Sequence, residues 1–163
     1  MDHATRTALL NRYASGYTNV VESLVDITAI ELDLQPADAA GTTDITAWTA
    51  RQIVHHLADS ETNSYTRLRK LIAEDNTEIQ AYDEPVWATR LYYGRPIGLS
   101  LDVLKAVRES SYELLESLTE EQWLCEGTHS SRGRYTMAMW LEDYAEHPHE
   151  HADQIRRARL GNV

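Results

Sequence analysis

Residues 48–73 read W-T-A-R-Q-I-V-H-H-L-A-D-S-E-T-N-S-Y-T-R-L-R-K-L-I-A, and this stretch decides the fold. Its apolar and small residues recur every three or four positions, which is the spacing of one face of an amphipathic α-helix. The residues on that face are Ile53, Leu57, Ser60, Ser64, Leu68 and Leu71. Thr49 and Gln52 have the spacing of a capping box. The sequence therefore predicts a helix that begins just after Thr49 and extends to about Ala73.

Three further segments show the same helical spacing. The first runs from about Thr5 to Ile30, with Gly16 as its one unfavourable residue, and the others begin near Ser100 and near Thr136. We find no internal repeat and no strand-like alternation of useful length. The sequence therefore predicts an all-α protein, an antiparallel four-helix bundle that forms a single domain over residues 1–163.

Loops separate the predicted helices. One runs from about Gln35 to Ala47, and a long crossover from about Asp75 to Leu99 joins the second and third helices. The crossover is expected to hold a short helix near Trp87. Its aromatic residues are Tyr82, Trp87, Tyr92 and Tyr93. A long aromatic segment either covers a functional site or packs on the bundle, and both interpretations stay open here.

A second capping-box pattern, Thr119-Glu120-Glu121-Gln122, predicts a short extra turn after the third helix. A polar loop, His129 to Gly133, is expected to follow it and to lead into the fourth helix.

The composition excludes several classes of function. Fifteen basic residues against 26 acidic ones give a net charge of −11, which disfavours binding to DNA or RNA. No apolar stretch approaches the ~20 residues of a membrane-spanning helix, and the first residues do not resemble a signal peptide. We therefore expect a soluble, cytoplasmic protein. The single cysteine, Cys125, excludes an intramolecular disulfide and a CxxC motif.

Five histidines lie close together in two of the predicted helices, and helical phase separates them. At about 100° per residue, His56 lies at the edge of the apolar face of its helix and His55 points away from it. On the fourth helix His151 lies within the apolar face and His147 at its edge, whereas His149 is expected in solvent. His147 and His151 are an i, i+4 pair, so their side chains share one face. His56, His147 and His151 are therefore the predicted metal ligands.

Three neutral imidazoles with no cysteine favour a catalytic site with open coordination positions over a closed structural site. Such ligands suit zinc, nickel, copper or iron. The ordinary alternative for any single histidine is a surface or capped position, but joint placement on two inward faces argues against it. Pro148 lies between the paired histidines and removes a helical hydrogen bond to Tyr144. It either reshapes the helix around the site or divides it in two.

Three carboxylates accompany these histidines. Asp59 follows His56 by three residues and either orients a ligand imidazole or is a solvated helix residue. Glu61 and Glu150 are candidates for a general base or an additional ligand. No phosphate-binding glycine loop, G-x-S-x-G or H-E-x-x-H motif is present.

The chain from about Trp48 to Arg157 resembles the DinB-like four-helix proteins, and within them the YfiT-type branch. The resemblance rests on W-T-A-R-Q-I-V-H-H-L-A-D-S-E-T-N-S-Y, on A-Y-D-E-P-V-W-A, on S-L-T-E-E-Q-W and on the closing H-x-x-x-H. It implies a bundle that binds a divalent metal, often nickel or zinc, through His56, His147 and His151. Close relatives often have histidine where this chain has Glu61.

The resemblance also implies an activity, either metal-dependent hydrolysis or transfer of a thiol such as bacillithiol to an electrophile. We expect a metal-dependent thiol S-transferase in which the metal activates the thiolate, Asp59 orients a ligand and the aromatic crossover shapes the electrophile pocket. The alternatives are a hydrolase that activates water, with Glu61 or Glu150 as proton acceptor, and a non-enzymatic metal-binding stress protein. The protein is expected to form a homodimer.

Overall fold

The computed structural model describes residues 1–36 and 47–160, which exclude most of the loop predicted between Gln35 and Ala47. Its helices are α1 (His3–Ser23), α2 (Ala50–Ala73), α3 (Glu84–Arg90), α4 (Gly98–Glu116) and α5 (Met137–Arg159). Its strands are β1 (Glu78–Ile79), β2 (Glu126–His129) and β3 (Gly133–Thr136). Single 3-10 turns lie at Glu31–Asp33 and Gln122–Leu124. None of the helices described is both long and apolar enough to cross a membrane.

The predicted four-helix bundle is confirmed, and its helices are α1, α2, α4 and α5. Both α1 and α2 pack against α4 and α5, so α1 and α2 lie diagonally across the bundle. Arg12 pairs with Glu146 near the middle of α5, and Asn19, further along α1, bonds Arg156 near the end of α5. Because a later residue of α1 contacts a later residue of α5, the two helices run in the same direction and are parallel neighbours.

The second parallel pair, α2 and α4, explains the long crossover. His55 contacts Ser100 near the start of α4, and Arg69 contacts Ser110 further along it. Two consecutive helices that run side by side in the same direction need a connection that returns along the whole bundle, about 36 Å for a helix of 24 residues. Residues 74–97 make this return, and α3 forms within them as the prediction near Trp87 required.

The antiparallel contact between α2 and α5 brings the predicted metal ligands together. The indole N–H of Trp140 donates to the backbone oxygen of Ser64 at 3.2 Å, while His147 lies beside His56. The contacts therefore run in opposite directions along the two helices. Trp140 is fully buried in the cluster of apolar side chains that fills this end of the bundle.

Capping residues in the sequence predicted most helix starts correctly. The Thr49–Gln52 capping box forms in both directions, and the equivalent Thr119–Gln122 pair makes the same two bonds before the predicted extra turn. Helix α5 begins directly after Thr136, whose hydroxyl caps it. The predicted end of the first helix at Ile30 was wrong, because α1 ends at Ser23. Asp26 has a left-handed backbone (φ 56°) that no α-helix accommodates.

The small sheet was not predicted from the sequence. Strand β1 pairs with β2 in parallel, and β2 pairs with β3 as a hairpin whose register places Glu126 opposite Thr136. The residues expected as a polar loop, His129 to Gly133, form the turn of this hairpin. Strands of two to four residues are too short to show the alternation that identifies a strand in a sequence.

Arg108 of α4 is buried where the four long helices meet, with 3% of its surface exposed. Its Nη1 donates to Oε2 of Glu61 on α2 at 2.7 Å. Its Nη2 donates to the backbone oxygens of Tyr13 on α1 and Tyr144 on α5, at 2.7 and 2.9 Å. One guanidinium group therefore joins all four helices of the bundle, and its charge is compensated by a buried carboxylate.

The contact with Tyr144 also accommodates Pro148. Proline has no N–H, so the carbonyl of Tyr144 lacks its usual helical donor, and Arg108 replaces that donor. Helix α5 is consequently continuous through Pro148 rather than divided in two. A Cβ atom at Gly16 would lie 2.5 Å from Cγ of Pro148 and 2.8 Å from Nη2 of Arg108, so only glycine fits there.

Replacing Arg108 with Met is expected to lower the free energy of unfolding by about 3–5 kcal/mol, because Glu61 would keep a buried charge without a partner. Urea unfolding measures this change. Lys105→Met is the matched control, because Lys105 is exposed on the same helix and should change stability by less than about 0.5 kcal/mol. Equal effects of the two substitutions would contradict this role of Arg108.

Candidate metal centre

His56 on α2 and the pair His147 and His151 on α5 converge inside the bundle. The Nε2 atom of His147 lies 3.1 Å from Nε2 of His56 and 3.1 Å from Nε2 of His151. One nitrogen from each ring lies within 4.8 Å of the other two. His56 is fully buried and His151 is 8% exposed. The structure thus brings together the three histidines that helical phase selects.

The electrostatic environment keeps these imidazoles neutral at neutral pH. Burial, helped by the nearby His151, lowers the pKa of His56 to about 3. Burial also lowers the pKa of His147 well below its ordinary value, and that of His151 to a smaller extent. Neutral imidazole is the form that binds a metal ion, so the cluster does not have to lose protons before binding one.

The orientation of the His151 ring and the distances between the ring nitrogens also suit a bound metal ion. The side-chain oxygen of Gln154 lies 2.8 Å from Nδ1 of His151 and accepts a hydrogen bond from Nδ1–H, which leaves the lone pair of Nε2 facing the other rings. Nitrogens that share one ion at ~2.1 Å would lie roughly 3.0–3.5 Å apart, which the two distances of 3.1 Å from Nε2 of His147 satisfy. The Nδ1 atoms of His56 and His147 are buried without a hydrogen-bond partner in the described part of the chain.

Gln154 was missed by the sequence analysis. Its spacing of three residues from His151 on one helix was the available signal, because residues at i and i+3 are neighbours on the helix surface. A side chain that accepts the outer N–H of a ligand imidazole fixes the orientation of the ring. Gln154 therefore takes the position that the sequence analysis assigned to Asp59.

Two of the three carboxylates considered earlier are engaged elsewhere. Oδ2 of Asp59 accepts a hydrogen bond from the Tyr93 hydroxyl at 2.6 Å. Glu61 is buried, with one oxygen bound to Arg108 and the other to the Tyr13 hydroxyl at 2.6 Å. Among residues 1–36 and 47–160, the converging group of possible metal-ligand atoms contains the histidines alone.

The expectation that His149 lies in solvent was wrong, because it is buried, and His55, which points away from the apolar face of α2, is buried as well. His55 contacts the Ser100 hydroxyl and the backbone oxygen of Arg95, which belong to the start of α4 and the loop before it. His149 bonds Asn19 of α1 at 2.8 Å. Each helix packs against neighbours on more than one side, so a position away from the main apolar face is not necessarily exposed.

A cavity of about 600 Å³ opens beside the partly exposed ring of His147. Residues that line it include Ser60, Arg67, Tyr82, Glu84, Tyr144 and Glu150. Glu150 is the one predicted catalytic carboxylate that lines this space, and its side chain is exposed. The volume is typical of small-molecule sites. The histidine cluster therefore has an accessible side on which a substrate could bind.

Some aromatic residues of the crossover line the cavity, and others do not. Tyr82 lines the cavity, and Trp87 packs on Tyr82 with ring centroids 4.5 Å apart. Tyr93 is instead buried in the core, and Tyr92 is 77% exposed. On the other side of the cluster, Trp48 packs against the ring of His56 at 4.9 Å.

Comparisons with known proteins agree with this geometry. A family model described as the DinB superfamily matches residues 12–155. A protein of Oceanobacillus iheyensis named "Putative metal-dependent hydrolase" is 31% identical over 150 residues, which cover 90% of this chain and 86% of that protein. A protein of Halalkalibacterium halodurans with the same description is 29% identical over 132 residues, which cover 81% of this chain and 77% of that protein.

A solved structure gives a similar result. YfiT from Bacillus subtilis, described as "a probable metal-dependent hydrolase with an unusual four-helix bundle topology", matches with a TM-score of 0.84 and 25% identity. The match covers 95% of this chain and 86% of YfiT.

Replacing His56, His147 or His151 individually with Ala is expected to abolish stoichiometric binding of a divalent metal, because two imidazoles and no nearby carboxylate remain. Elemental analysis of protein loaded with zinc or nickel measures this. His55→Ala and His149→Ala are matched controls that should retain the metal, although loss of their buried hydrogen bonds should lower the melting temperature. Full metal content in all three cluster variants would exclude the site.

Proposed function

The chain belongs to the DinB superfamily, and we propose that it is a metal-dependent enzyme that transfers a thiol to an electrophilic small molecule. One observation carries the proposal: three neutral imidazoles converge on a single point that opens, through His147, onto a substrate-sized cavity. A closed structural site would have four protein ligands and no accessible side.

Each residue of the centre has a defined task in this proposal. His56, His147 and His151 hold the metal, and Gln154 keeps the ring of His151 in the required orientation. A divalent ion bound there would stabilise the thiolate form of a thiol near neutral pH, or lower the pKa of a water molecule. The proton released from a thiol leaves through the open mouth of the cavity, where Glu150 is exposed.

The hydrogen bonds already made by Asp59 and Glu61 favour thiol transfer over hydrolysis. Hydrolysis of an ester or amide benefits from a general base held near the attacking water. Asp59 and Glu61, which are close to His56 in the sequence, are occupied by Tyr93 and by Arg108. A thiol, in contrast, is already acidic enough to lose its proton once its thiolate is stabilised, so it needs no such base.

Metal-dependent hydrolysis is the second candidate, and two observations favour it. Relatives that cover most of this chain are named as metal-dependent hydrolases. Glu150 lines the cavity beside His147 with no resident ion pair among the described residues, so its carboxylate is available to accept a proton from water. The metal itself, nickel or zinc, the cytoplasmic location and the homodimer stay predictions.

Thiol transfer is tested by incubating zinc- or nickel-loaded protein with 1-chloro-2,4-dinitrobenzene and, in turn, bacillithiol, glutathione, cysteine or coenzyme A. Formation of the conjugate is followed by absorbance. We expect a metal-dependent rate with at least one thiol. His147→Ala should reduce this rate to the uncatalysed background, whereas His149→Ala should retain it.

The same protein is assayed without thiol on 4-nitrophenyl esters and anilides. Metal-dependent turnover there, reduced by Glu150→Gln, would replace transfer with hydrolysis as the function. Absence of both activities in fully metal-loaded protein would favour the third alternative, a non-enzymatic metal-binding protein.

A further inference from the structure

Arg67 occupies an unusual position in the wall of the cavity. It follows His56 by about three turns of α2, so it lies on the same side of the helix as the metal cluster. Its Nη1 donates to the Tyr144 hydroxyl at 2.7 Å and its Nη2 to the backbone oxygen of Gln80 at 2.8 Å. Both acceptors are neutral. No carboxylate of the described residues lies within 4.0 Å of it, whereas Arg132, the other arginine of the cavity wall, is paired with Asp143.

Two tyrosine hydroxyls accompany this unpaired charge. The Tyr144 hydroxyl accepts the bond from Arg67, and no acceptor for its own proton lies within the described residues. The Tyr82 hydroxyl is buried and makes no hydrogen bond to a described residue. Burial raises the pKa of Tyr82, and the nearby Ser60 side chain opposes this shift only in part, without forming a hydrogen bond of ordinary geometry. The ring of Tyr82 faces the guanidinium, whose carbon is 5.9 Å from the ring centroid.

This arrangement is incomplete without a ligand. A guanidinium group has five N–H donors, and the structure uses two of those of Arg67. Arg67 makes two hydrogen bonds to neutral acceptors but no ion pair, and the Tyr82 hydroxyl makes no hydrogen bond, so the described chain replaces only part of the hydration that these groups lose on folding. An oxyanion in the cavity would supply the missing negative charge and the missing acceptors together.

We propose that Arg67, with the hydroxyls of Tyr82 and Tyr144, forms a subsite that binds a carboxylate of the substrate. The proposal deepens the proposed function and rests on it, since it assigns a substrate class to the same cavity: small organic acids rather than neutral molecules. The flat fork of donors on Arg67 matches the two oxygens of a carboxylate. Binding there would hold the acid end of the substrate while its reactive end faces His147.

The remaining charges favour a carboxylate over a phosphate group. Five carboxylates line the cavity, and two of them are paired, Asp143 with Arg132 and Glu146 with Arg12. The other three are Glu84, Glu142 and Glu150, of which Glu142 and Glu150 are exposed. Their repulsion of an entering ligand increases with its negative charge, so a dianion is disfavoured more than a monoanion. Glu84 is half-buried, and burial raises its pKa above the ordinary value of a glutamate.

The ordinary structural alternative is that Arg67 only connects α5 to the segment after β1 through Tyr144 and Gln80. Tyr82→Phe separates the two interpretations, because the hydroxyl it removes has no hydrogen-bond partner among the described residues. If Arg67 were merely a structural link, this substitution would leave ligand binding unchanged.

The test compares two ligands of the same shape, 3-phenylpropionate and its neutral amide, by calorimetry on metal-loaded full-length protein at neutral pH. We expect the carboxylate to bind roughly 10- to 100-fold more tightly than the amide. Arg67→Met should reduce this preference to within about twofold. Tyr82→Phe should weaken carboxylate binding several-fold and leave amide binding unchanged. Arg90→Met is the control and should keep the full preference, because Arg90 is exposed on α3 and does not line the cavity.

Removal of the metal distinguishes this subsite from direct coordination. The preference for the carboxylate should survive in metal-free protein and disappear in Arg67→Met. A preference that survives Arg67→Met but is lost with the metal would overturn the proposal, as would equal binding of the two ligands or measurable binding of neither. Tighter binding of 2-phenylethylphosphonate than of the carboxylate would overturn the carboxylate assignment. Because no turnover is measured, these outcomes are independent of whether the thiol-transfer assays succeed.

Discussion

At the centre of the bundle, the guanidinium group of Arg108 joins α4, which carries it, to the three other long helices at once. Two of those helices carry the metal-site histidines, and the contacts lie within about one and a half turns of them: Glu61 follows His56 by five residues, and Tyr144 precedes His147 by three. A buried charge tolerates little displacement, because moving its partner leaves an unpaired ion in the core. The same group that holds the helices together therefore fixes the distance between α2 and α5 on which the convergence of the imidazoles depends.

The fold could be predicted from the sequence where the determinants are local. The apolar face of α2 and the Thr49–Gln52 capping box involve residues a few positions apart, so the pattern itself contains the information. The choice of neighbours in the bundle does not depend on such patterns. That α1 lies beside α5 in parallel, and α2 beside α4, is decided by contacts such as Asn19 with Arg156 over more than one hundred residues. The long crossover was a sign of this topology, because only parallel neighbours require so long a return.

Some features of the candidate site could likewise be predicted from local sequence patterns, and others could not. Helical phase selects His56, His147 and His151 because a metal ligand must face the bundle interior. Phase describes one face of one helix, so it did not show that α1 and the start of α4 cover His149 and His55. The partners of the carboxylates were equally inaccessible, since the residue that engages Glu61 lies 47 positions away on another helix. The histidines could be found from the sequence, whereas the carboxylates that remain free to act could be identified only in the fold.

The central claim is that three imidazoles, and no carboxylate, bind one divalent ion. X-ray absorption spectroscopy of zinc- or nickel-loaded protein tests it most directly, because scattering from imidazole rings is distinct from that of single oxygen ligands. The account predicts three imidazole nitrogens at about 2.0–2.1 Å for zinc, with the remaining coordination filled by light atoms from solvent. In the His56→Ala variant the imidazole scattering should disappear together with the bound metal. A shell of oxygen ligands without imidazole scattering in the wild-type protein would contradict the account.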